Sequence, residues 1–207
     1  MNKLILAALL ATAHSTSVSA EALNTSAIAS WRASAIKDTK SMLVVNPMTA
    51  LSFNYSEGQQ GFNHVDGVFN VTIQGQQGAS DFKLTSKILS ATLRRDGRND
   101  LNPSDTDDAT LEVGVRWQGQ PLSKDAELTL IDTKKGITAG LSNLTTNDAF
   151  AQSERVSALD QFNFRIKNAQ LDGQTVPYQS LNDGRWQGNV NVAFIASWDG
   201  QFVSSAH

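Results

Sequence analysis

The chain has 207 residues, a formal net charge of −3 at pH 7 and no cysteine. This length fits one domain with a sizeable core, and the weakly acidic balance gives no electrostatic basis for binding nucleic acid or anionic lipid. The lack of cysteine excludes disulfides, thiolate metal sites and cysteine-dependent catalysis, so stability has to come from the core and from contacts between chains.

The first twenty residues have the pattern of a secretory signal peptide, which predicts a division of the chain at residue 20. Lys3 supplies the positive start, residues 4–13 form an apolar run, and Val18 and Ala20 are small residues at the spacing that signal peptidase requires. An apolar run this short does not span a bilayer, which takes roughly 20 residues. We therefore expect residues 1–20 to be removed by cleavage between Ala20 and Glu21, and the remainder to be exported.

The segment that follows, residues 21–36, alternates between small apolar and polar side chains. The residues of its apolar face are Leu23, Thr25, Ala27, Ala29, Trp31, Ala33 and Ala35, and most residues between them are polar, with Ile28 the exception. A period of two is typical of a strand with one face in a core, but side chains this small bury little area by themselves. The segment could be an ordinary first strand of the domain. Alternatively it is a donor strand that completes a neighbouring subunit, since adding a strand to an exposed sheet edge is an established mode of recognition.

Residues 37–207 are predicted to form an all-β domain, a sandwich of the immunoglobulin type. Apolar residues recur with a period of two in six runs: Leu51, Phe53 and Tyr55; Phe69, Val71 and Ile73; Leu111, Val113, Val115 and Trp117; Leu128 and Leu130; Phe162, Phe164 and Ile166; and Val190, Val192, Phe194, Ala196 and Trp198. Turn-prone clusters of Gly, Pro, Asn and Asp separate these runs, and seven or so short strands at this spacing are typical of such a sandwich. Residues 96–108 are expected to form a long hairpin loop, and residues 141–159 could hold a short helix.

The last apolar run favours the donor-strand interpretation of residues 21–36. If this run is the penultimate strand, residues 199–207 are too polar to supply the final one, and a long apolar edge stays uncovered. Such an edge promotes aggregation unless another segment covers it. A spare strand at one end of the chain would fill the gap left at the other. We expect the accepting groove to be lined by Leu43, Val45, Val190, Val192, Phe194, Ala196 and Trp198.

A set of ordered motifs runs through most of the chain after residue 20. They are Trp31; Lys37-Asp38-Thr39; Leu43-Val44-Val45 with Pro47; Leu51-x-Phe53-x-Tyr55-x-Glu57-Gly58; Gly61-Phe62-Asn63; Gly67-x-Phe69-x-Val71-x-Ile73-x-Gly75; Phe82-Lys83-Leu84-Thr85-Ser86; and Trp186-x-Gly188-x-Val190-x-Val192-x-Phe194-x-Ala196-x-Trp198. With these motifs the chain resembles the EcpA/MatB fimbrillin family, the major subunits of the enterobacterial common pilus. The resemblance implies an incomplete immunoglobulin-like pilin that is completed by a donated N-terminal strand and forms a head-to-tail homopolymer. It also implies a periplasmic chaperone, an outer-membrane usher and a tip adhesin subunit as partners. The implied role is adhesion to host cells or abiotic surfaces and biofilm formation, within a fimbria on the cell surface.

No motif points to catalysis, a cofactor or a metal. His64 follows a turn and has no orienting partner of the kind that a Ser-His-Asp triad needs, and the acidic cluster in residues 100–108 lacks the glycine and terminal Glu of a calcium-binding loop. Two alternatives to a pilin stay open at this point. One is a monomeric secreted carbohydrate-binding β-sandwich with Trp117, Trp186 and Trp198 as a platform, and the other is a hydrolase with an unrecognised carboxylate pair.

Overall fold

The computed structural model describes residues 42–96, 108–138 and 140–200, all within the compact unit Asp38–His207. These residues are mostly β-structure. The strands are β1 Leu43–Pro47, β2 Tyr55–Ser56, β3 Gly61–Phe62, β4 Val65–Gln74, β5 Ala79–Arg95, β6 Ala109–Trp117, β7 Gln120–Pro121, β8 Leu128–Asp132, β9 Arg155–Leu171, β10 Gln174–Val176, β11 Trp186–Gln187 and β12 Val190–Gly200. Helix α1 spans Asn147–Phe150, and 3-10 turns occupy Thr133–Lys135, Ser142–Leu144 and Tyr178–Ser180. None of the helices in these ranges is long and apolar enough to cross a membrane.

Two layers of antiparallel strands face each other. The first has the order β1-β4-β9-β6, followed by the C-terminal part of β5 and then β11. The second consists of β12, the N-terminal part of β5 and β8. Aromatic rings join the layers, since the ring centroid of Phe194 in β12 lies 5.3 Å from that of Phe69 in β4 and 5.7 Å from that of Phe162 in β9.

Strand β5 belongs to both layers because it bends where it passes from one to the other. Its pairing with β12 shifts register between Asn191 and Val192, which leaves Leu89 as the extra residue of a β-bulge, and a bulge bends a strand. Gly188 joins β11 to β12 alongside this bend. A Cβ atom at residue 188 would lie 2.5 Å from the carbonyl oxygen of Thr92, so glycine lets the β11–β12 segment follow β5 this closely.

The core follows the alternation seen in the sequence. Most inward residues of β4, β6 and β9 are buried: Phe69, Val71, Ile73, Leu111, Val113, Val115, Trp117, Phe162, Phe164 and Ile166. Leu130 of β8 closes the core from the second layer with no exposed area. The expectation of an all-β, immunoglobulin-like sandwich is confirmed. The strand expected to complete it, residues 21–36, lies outside the described residues, as do the predicted cleavage site and residues 97–107 of the predicted loop.

The structure tests three expectations about local structure: a short helix, one strand and the number of strands. The short helix expected within residues 141–159 is confirmed as α1, which Thr146 caps by accepting a hydrogen bond from the Ala149 amide at 3.3 Å. The strand predicted through Leu51 and Phe53 is wrong, because residues 51–54 are not paired to another strand and only Tyr55–Ser56 forms β2. The strands are also more numerous than the seven expected, and β5 and β9 reach 17 residues each.

Candidate strand-accepting groove

Strands β1 and β12 are the outermost strands of the two layers on one side of the sandwich. Among the described residues, β1 pairs with β4 alone and β12 pairs with β5 alone. Their second edges therefore have no partner strand in that part of the chain. An unpaired edge presents backbone N–H and C=O groups that can template a strand from another chain.

An apolar groove of about 430 Å³ lies between these two edges. Its lining consists of Val45, Pro47, Thr49, Leu51, Gly67, Val68, Phe69, Leu89, Phe162, Phe164, Val190, Asn191, Val192 and Phe194. Within this lining, Thr49 and Asn191 alone have polar side chains, and no residue is charged. The groove therefore matches an apolar occupant and offers almost nothing to a charged one.

The inward side chains of the two edge strands are less buried than the rest of the core. Phe69 and Phe162, at the floor of the groove, are 4% and 3% exposed. The inward residues of the two edge strands keep intermediate exposure although they pack against the core: Leu43, Val45, Val190, Val192, Phe194, Ala196 and Trp198. One more strand laid between the edges would be needed to bury these residues as deeply as their neighbours.

At the far end of β12, the side chain of Trp198 has a hydrogen-bond donor that is not satisfied by the described residues. The indole ring of Trp198 packs 5.2 Å from the ring of Phe82, measured between centroids. Its Nε1 atom is buried but has no hydrogen-bond partner among the described residues. Since an unpaired buried N–H costs about 1–3 kcal/mol, an acceptor from another segment would stabilise this end of the groove.

The residues predicted to form the accepting groove fall into two sets. Val45, Val190, Val192 and Phe194 line the cavity itself. Leu43, Ala196 and Trp198 lie on the same two strands and pack, half-buried, against the core beyond the cavity. The predicted donor residues Leu23, Thr25, Ala27, Ala29, Trp31 and Ala33 lie outside the described residues.

Sequence reasoning missed the floor of the groove and the part of its rim that follows Val45. Alternation assigned Phe69, Phe162 and Phe164 to the core, and nothing in a single strand shows which core residues also border a gap. Pro47 ends β1, and Thr49 and Leu51 extend the rim beyond it; Thr49 Oγ1 accepts a hydrogen bond from the amide of residue 68 at 3.0 Å. The motifs Leu43-Val44-Val45 with Pro47 and Leu51-x-Phe53-x-Tyr55 contain residues of this rim, but neither shows that they border a gap.

The other candidate sites receive no support from the geometry. Trp117 is 3% exposed and its Nε1 donates to Asp160 Oδ2 at 2.8 Å, so it cannot share an exposed platform with Trp186 and Trp198. His64 is exposed in the connection between β3 and β4. No group of three or more His, Cys, Asp or Glu side chains that could hold a metal occurs within residues 42–96, 108–138 and 140–200.

The fold and the groove together define a class of protein, a β-sandwich with a strand-sized apolar gap between two edge strands. The family model described as Fimbrillin MatB matches residues 24–198. The chain belongs to this fimbrillin family.

Two similar proteins agree with this assignment. The common pilus major fimbrillin subunit EcpA of Klebsiella pneumoniae (strain 342) is 39% identical over 202 residues, which cover 96% of this chain and 99% of that protein. The subunit of the same description from Escherichia coli O1:K1 is 38% identical with the same coverage. Among solved structures, the CooA pilin subunit from enterotoxigenic Escherichia coli has 21% sequence identity and a TM-score of 0.46, covering 77% of this chain and 90% of that one. The two EcpA relatives are described as major fimbrillin subunits, which places the chain with fimbrillins and not with enzymes or monomeric sugar-binding proteins.

Proposed function

We propose that this chain is the major structural subunit of an adhesive surface fimbria and polymerises head to tail by strand donation. Residues 1–20 direct export and are removed after Ala20, and residues 21–36 of each subunit then enter the groove of the next. The observation that carries the proposal is the groove itself, an apolar gap between two unpaired edges with half-buried side chains on both rims.

The energetics favour an occupied groove. Fully burying a Val, Leu or Phe side chain stabilises a protein by about 1.5–3 kcal/mol relative to leaving it exposed. Because Val45, Val190, Val192 and Phe194 are already half-buried, covering all four adds on the order of half that amount each, or several kcal/mol together. The donated backbone would also pair with the free edge of β12. Both contributions are lost when the groove is empty.

An empty groove exposes an aggregation-prone edge before assembly, which supports a requirement for a covering partner during export. A periplasmic chaperone fills that role, and an outer-membrane usher joins subunits by exchanging the chaperone for the next donor strand. A tip adhesin subunit ends the polymer, and the fibre attaches cells to host or abiotic surfaces and supports biofilm formation. These partners follow from the resemblance to fimbrillins together with the open groove.

The proposal is tested by placing arginine at two adjacent positions of the donor segment. In a donated strand, alternate side chains face the acceptor's core, so Ala27 points inward and Ser26 points to solvent. Ala27→Arg then places an unpaired charge in an apolar groove, which costs several kcal/mol. Ser26→Arg costs little, within about 0.5 kcal/mol for a surface site.

The measurement is the amount of fibre on cells, with subunit levels in the periplasm determined beside it. Ala27→Arg should leave monomer in the periplasm and few fibres, whereas Ser26→Arg should assemble almost normally. The two variants add the same charge at neighbouring positions, so effects on export alone would be equal. Equal assembly by both variants would contradict donation of this strand with Ala27 inward.

A further inference from the structure

Two arginine side chains lie close together on the outer face of the first layer. Arg116 of β6 and Arg165 of β9 take outward positions, since the residues on either side of each are buried. Gly114 pairs directly with Arg165, and Arg116 pairs with Asn163. The two arginines are therefore diagonal neighbours on adjacent strands, and such residues lie about 7–8 Å apart. One ligand group can contact both side chains.

Gly114 leaves a shallow notch between these two arginines. A Cβ atom at residue 114 would lie 3.7 Å from Cγ and 3.8 Å from Nε of Arg165. The side chain of Arg165 therefore extends towards β6 and lies beside the backbone of residue 114. Because glycine has no side chain, a small ligand group has room there, next to the guanidinium.

Neither of these guanidinium groups has a carboxylate partner among the described residues. The nearby carboxylates have other partners, since Glu112 lies 3.5 Å from Lys167 Nζ and Asp66 accepts a hydrogen bond from Asn163 Nδ2 at 2.9 Å. The Nε atom of Arg116 is buried and has no hydrogen-bond partner in the described part of the chain. An unpaired buried donor is costly, above all in a charged group. An acceptor that reaches this guanidinium would offset part of that cost.

The charges around Gly114 favour an anionic ligand. The outer face carries three cations here, Arg116, Arg165 and Lys167, against the two carboxylates of Glu112 and Asp66, although the whole chain has a net charge of −3. A guanidinium group presents its donors in a planar fork that matches the two oxygens of a carboxylate. The site therefore fits a carboxylate group seated in the notch between the two arginines.

The rest of this face suits a ligand rich in hydroxyl groups. Next to the arginines, the outward residues of β4 and β9 pair across the two strands and carry no charge. They include amide and hydroxyl side chains and an aliphatic one that is 62% exposed: Asn70, Thr72, Ser157, Gln161 and Leu159. Residues 159 to 165 span roughly 20 Å along β9. A sugar chain has both the hydroxyl groups and the apolar ring faces to contact such a surface.

Duplex nucleic acid is a poor match for this face. Proteins hold it through many phosphate contacts, about 6–10 in a well-bound case, whereas the described part of this face has two guanidinium groups without a carboxylate partner. A polysaccharide with carboxylates on its sugar units needs one such contact at a time and offers hydroxyl groups to the amide side chains alongside. We propose that Arg116 and Arg165, on either side of Gly114, bind the carboxylate groups of an acidic polysaccharide.

Strand donation leaves this site uncovered and repeats it along the fibre. The groove lies between the two layers, whereas Arg116 and Arg165 are on the outer face of the first layer. In the proposed head-to-tail polymer every subunit presents one such site. A long polyanion that engages two of them gains about 100- to 10,000-fold in overall avidity. The repetition rests on the proposed function, and the single site does not.

Binding of a polyuronate tests the inference. Alginate, whose sugar units each carry a carboxylate, is applied to the purified chain at physiological salt, and its dissociation constant is measured by surface plasmon resonance. Arg116→Gln and Arg165→Gln should each weaken binding about tenfold or more, because each removes charge-assisted hydrogen bonds. Lys167→Gln is the matched control. It removes the same charge from the same face, but from a side chain already paired with Glu112, and it should retain most of the affinity.

Equal losses by all three variants would show that alginate responds to the general charge of the face, and would overturn the assignment to the two arginines. Dextran, which has no carboxylate, should not bind. Polyglutamate or duplex DNA that binds as tightly as alginate would overturn the assignment of the ligand class. The variants should form fibres in normal amounts, because residues 116, 165 and 167 lie outside the groove lining. If the chain does not polymerise, the same measurement on the monomer decides the site independently of the proposed function.

A substitution in the notch tests the site without changing either arginine. Gly114→Glu places a carboxylate beside Arg165, and its Cβ atom has room because the nearest atoms lie 3.6–3.8 Å away. This carboxylate should occupy the guanidinium groups and weaken alginate binding about tenfold or more relative to Gly114→Gln, which has the same shape without the charge. Equal affinity of these two variants for alginate would contradict an anion-binding role for the arginine pair.

Discussion

Replacing Phe194 by alanine should weaken the bond between subunits more than it weakens the subunit itself. Phe194 packs against Phe69 and Phe162 but retains intermediate exposure because the groove beside it is empty. A donated strand would cover the remaining face. The same substitution therefore removes a half-buried ring from the free domain and a fully buried ring from the complemented one.

The magnitude follows from this difference in burial. Truncating a fully buried Phe to Ala costs about 3–5 kcal/mol, and a half-buried ring costs roughly half of that. The excess in the complemented form, about 1.5–2.5 kcal/mol, corresponds to a loss of about 10- to 70-fold in affinity for the donor strand.

The assay compares urea unfolding of the domain 37–207 with and without a donor segment attached. Phe194→Ala should lower the free energy of unfolding of the complemented form by about twice as much as that of the free form. Leu130→Ala is the matched control, because Leu130 has no exposed area and lies outside the groove lining. This substitution should lower the free energy of unfolding by about 2–5 kcal/mol, and by the same amount in both forms. An equal effect of Phe194→Ala on the two forms would refute the idea that the donor covers this ring.

Two further predictions concern the core and the export signal. Asp160→Ala should cost about 1–3 kcal/mol in unfolding free energy, because it leaves the buried Nε1 of Trp117 without its acceptor. Asp160→Asn retains an acceptor and should therefore cost clearly less. Equal losses of stability by the two variants in thermal or urea unfolding would count against this hydrogen bond. The intact mass of surface material should correspond to a chain that begins at Glu21, and a mature start after Ala27 would remove much of the donor segment and contradict the assembly mechanism.

Strands with regular alternation could be predicted from the sequence because a period of two reports burial on one face directly. Leu111, Val113 and Val115 are buried as expected. The run through Leu51 and Phe53 alternates equally well and packs against the core, yet residues 51–54 form no strand. Alternation measures which side chains face the core, and it carries no information on whether the backbone has a partner strand.

Strand β5 shows a second limit of predicting strands from alternation in the sequence. Its inward face includes the polar Ser86, which is buried and donates a hydrogen bond to the carbonyl oxygen of residue 193 at 3.0 Å, and its alternation breaks at the bulge residue Leu89. Both features interrupt an apolar period of two. In the groove, alternation along the sequence correctly predicts that Val190 and Phe194 face inward. Their half-buried state depends on the distance between the two layers, and the sequence of a single strand carries no information on that distance.

The central claim is that the groove is completed by the chain's own N-terminal segment, and a rearranged monomer tests it most directly. Residues 21–36 are removed from the N-terminus and attached after His207 through a flexible linker, which raises the local donor concentration to about millimolar. The melting temperature of this monomer is compared with that of the same domain lacking any donor segment. We expect a soluble monomer with a clearly higher melting temperature, because the attached strand binds the folded state alone. A melting temperature no higher than that of the domain without a donor would contradict the claim.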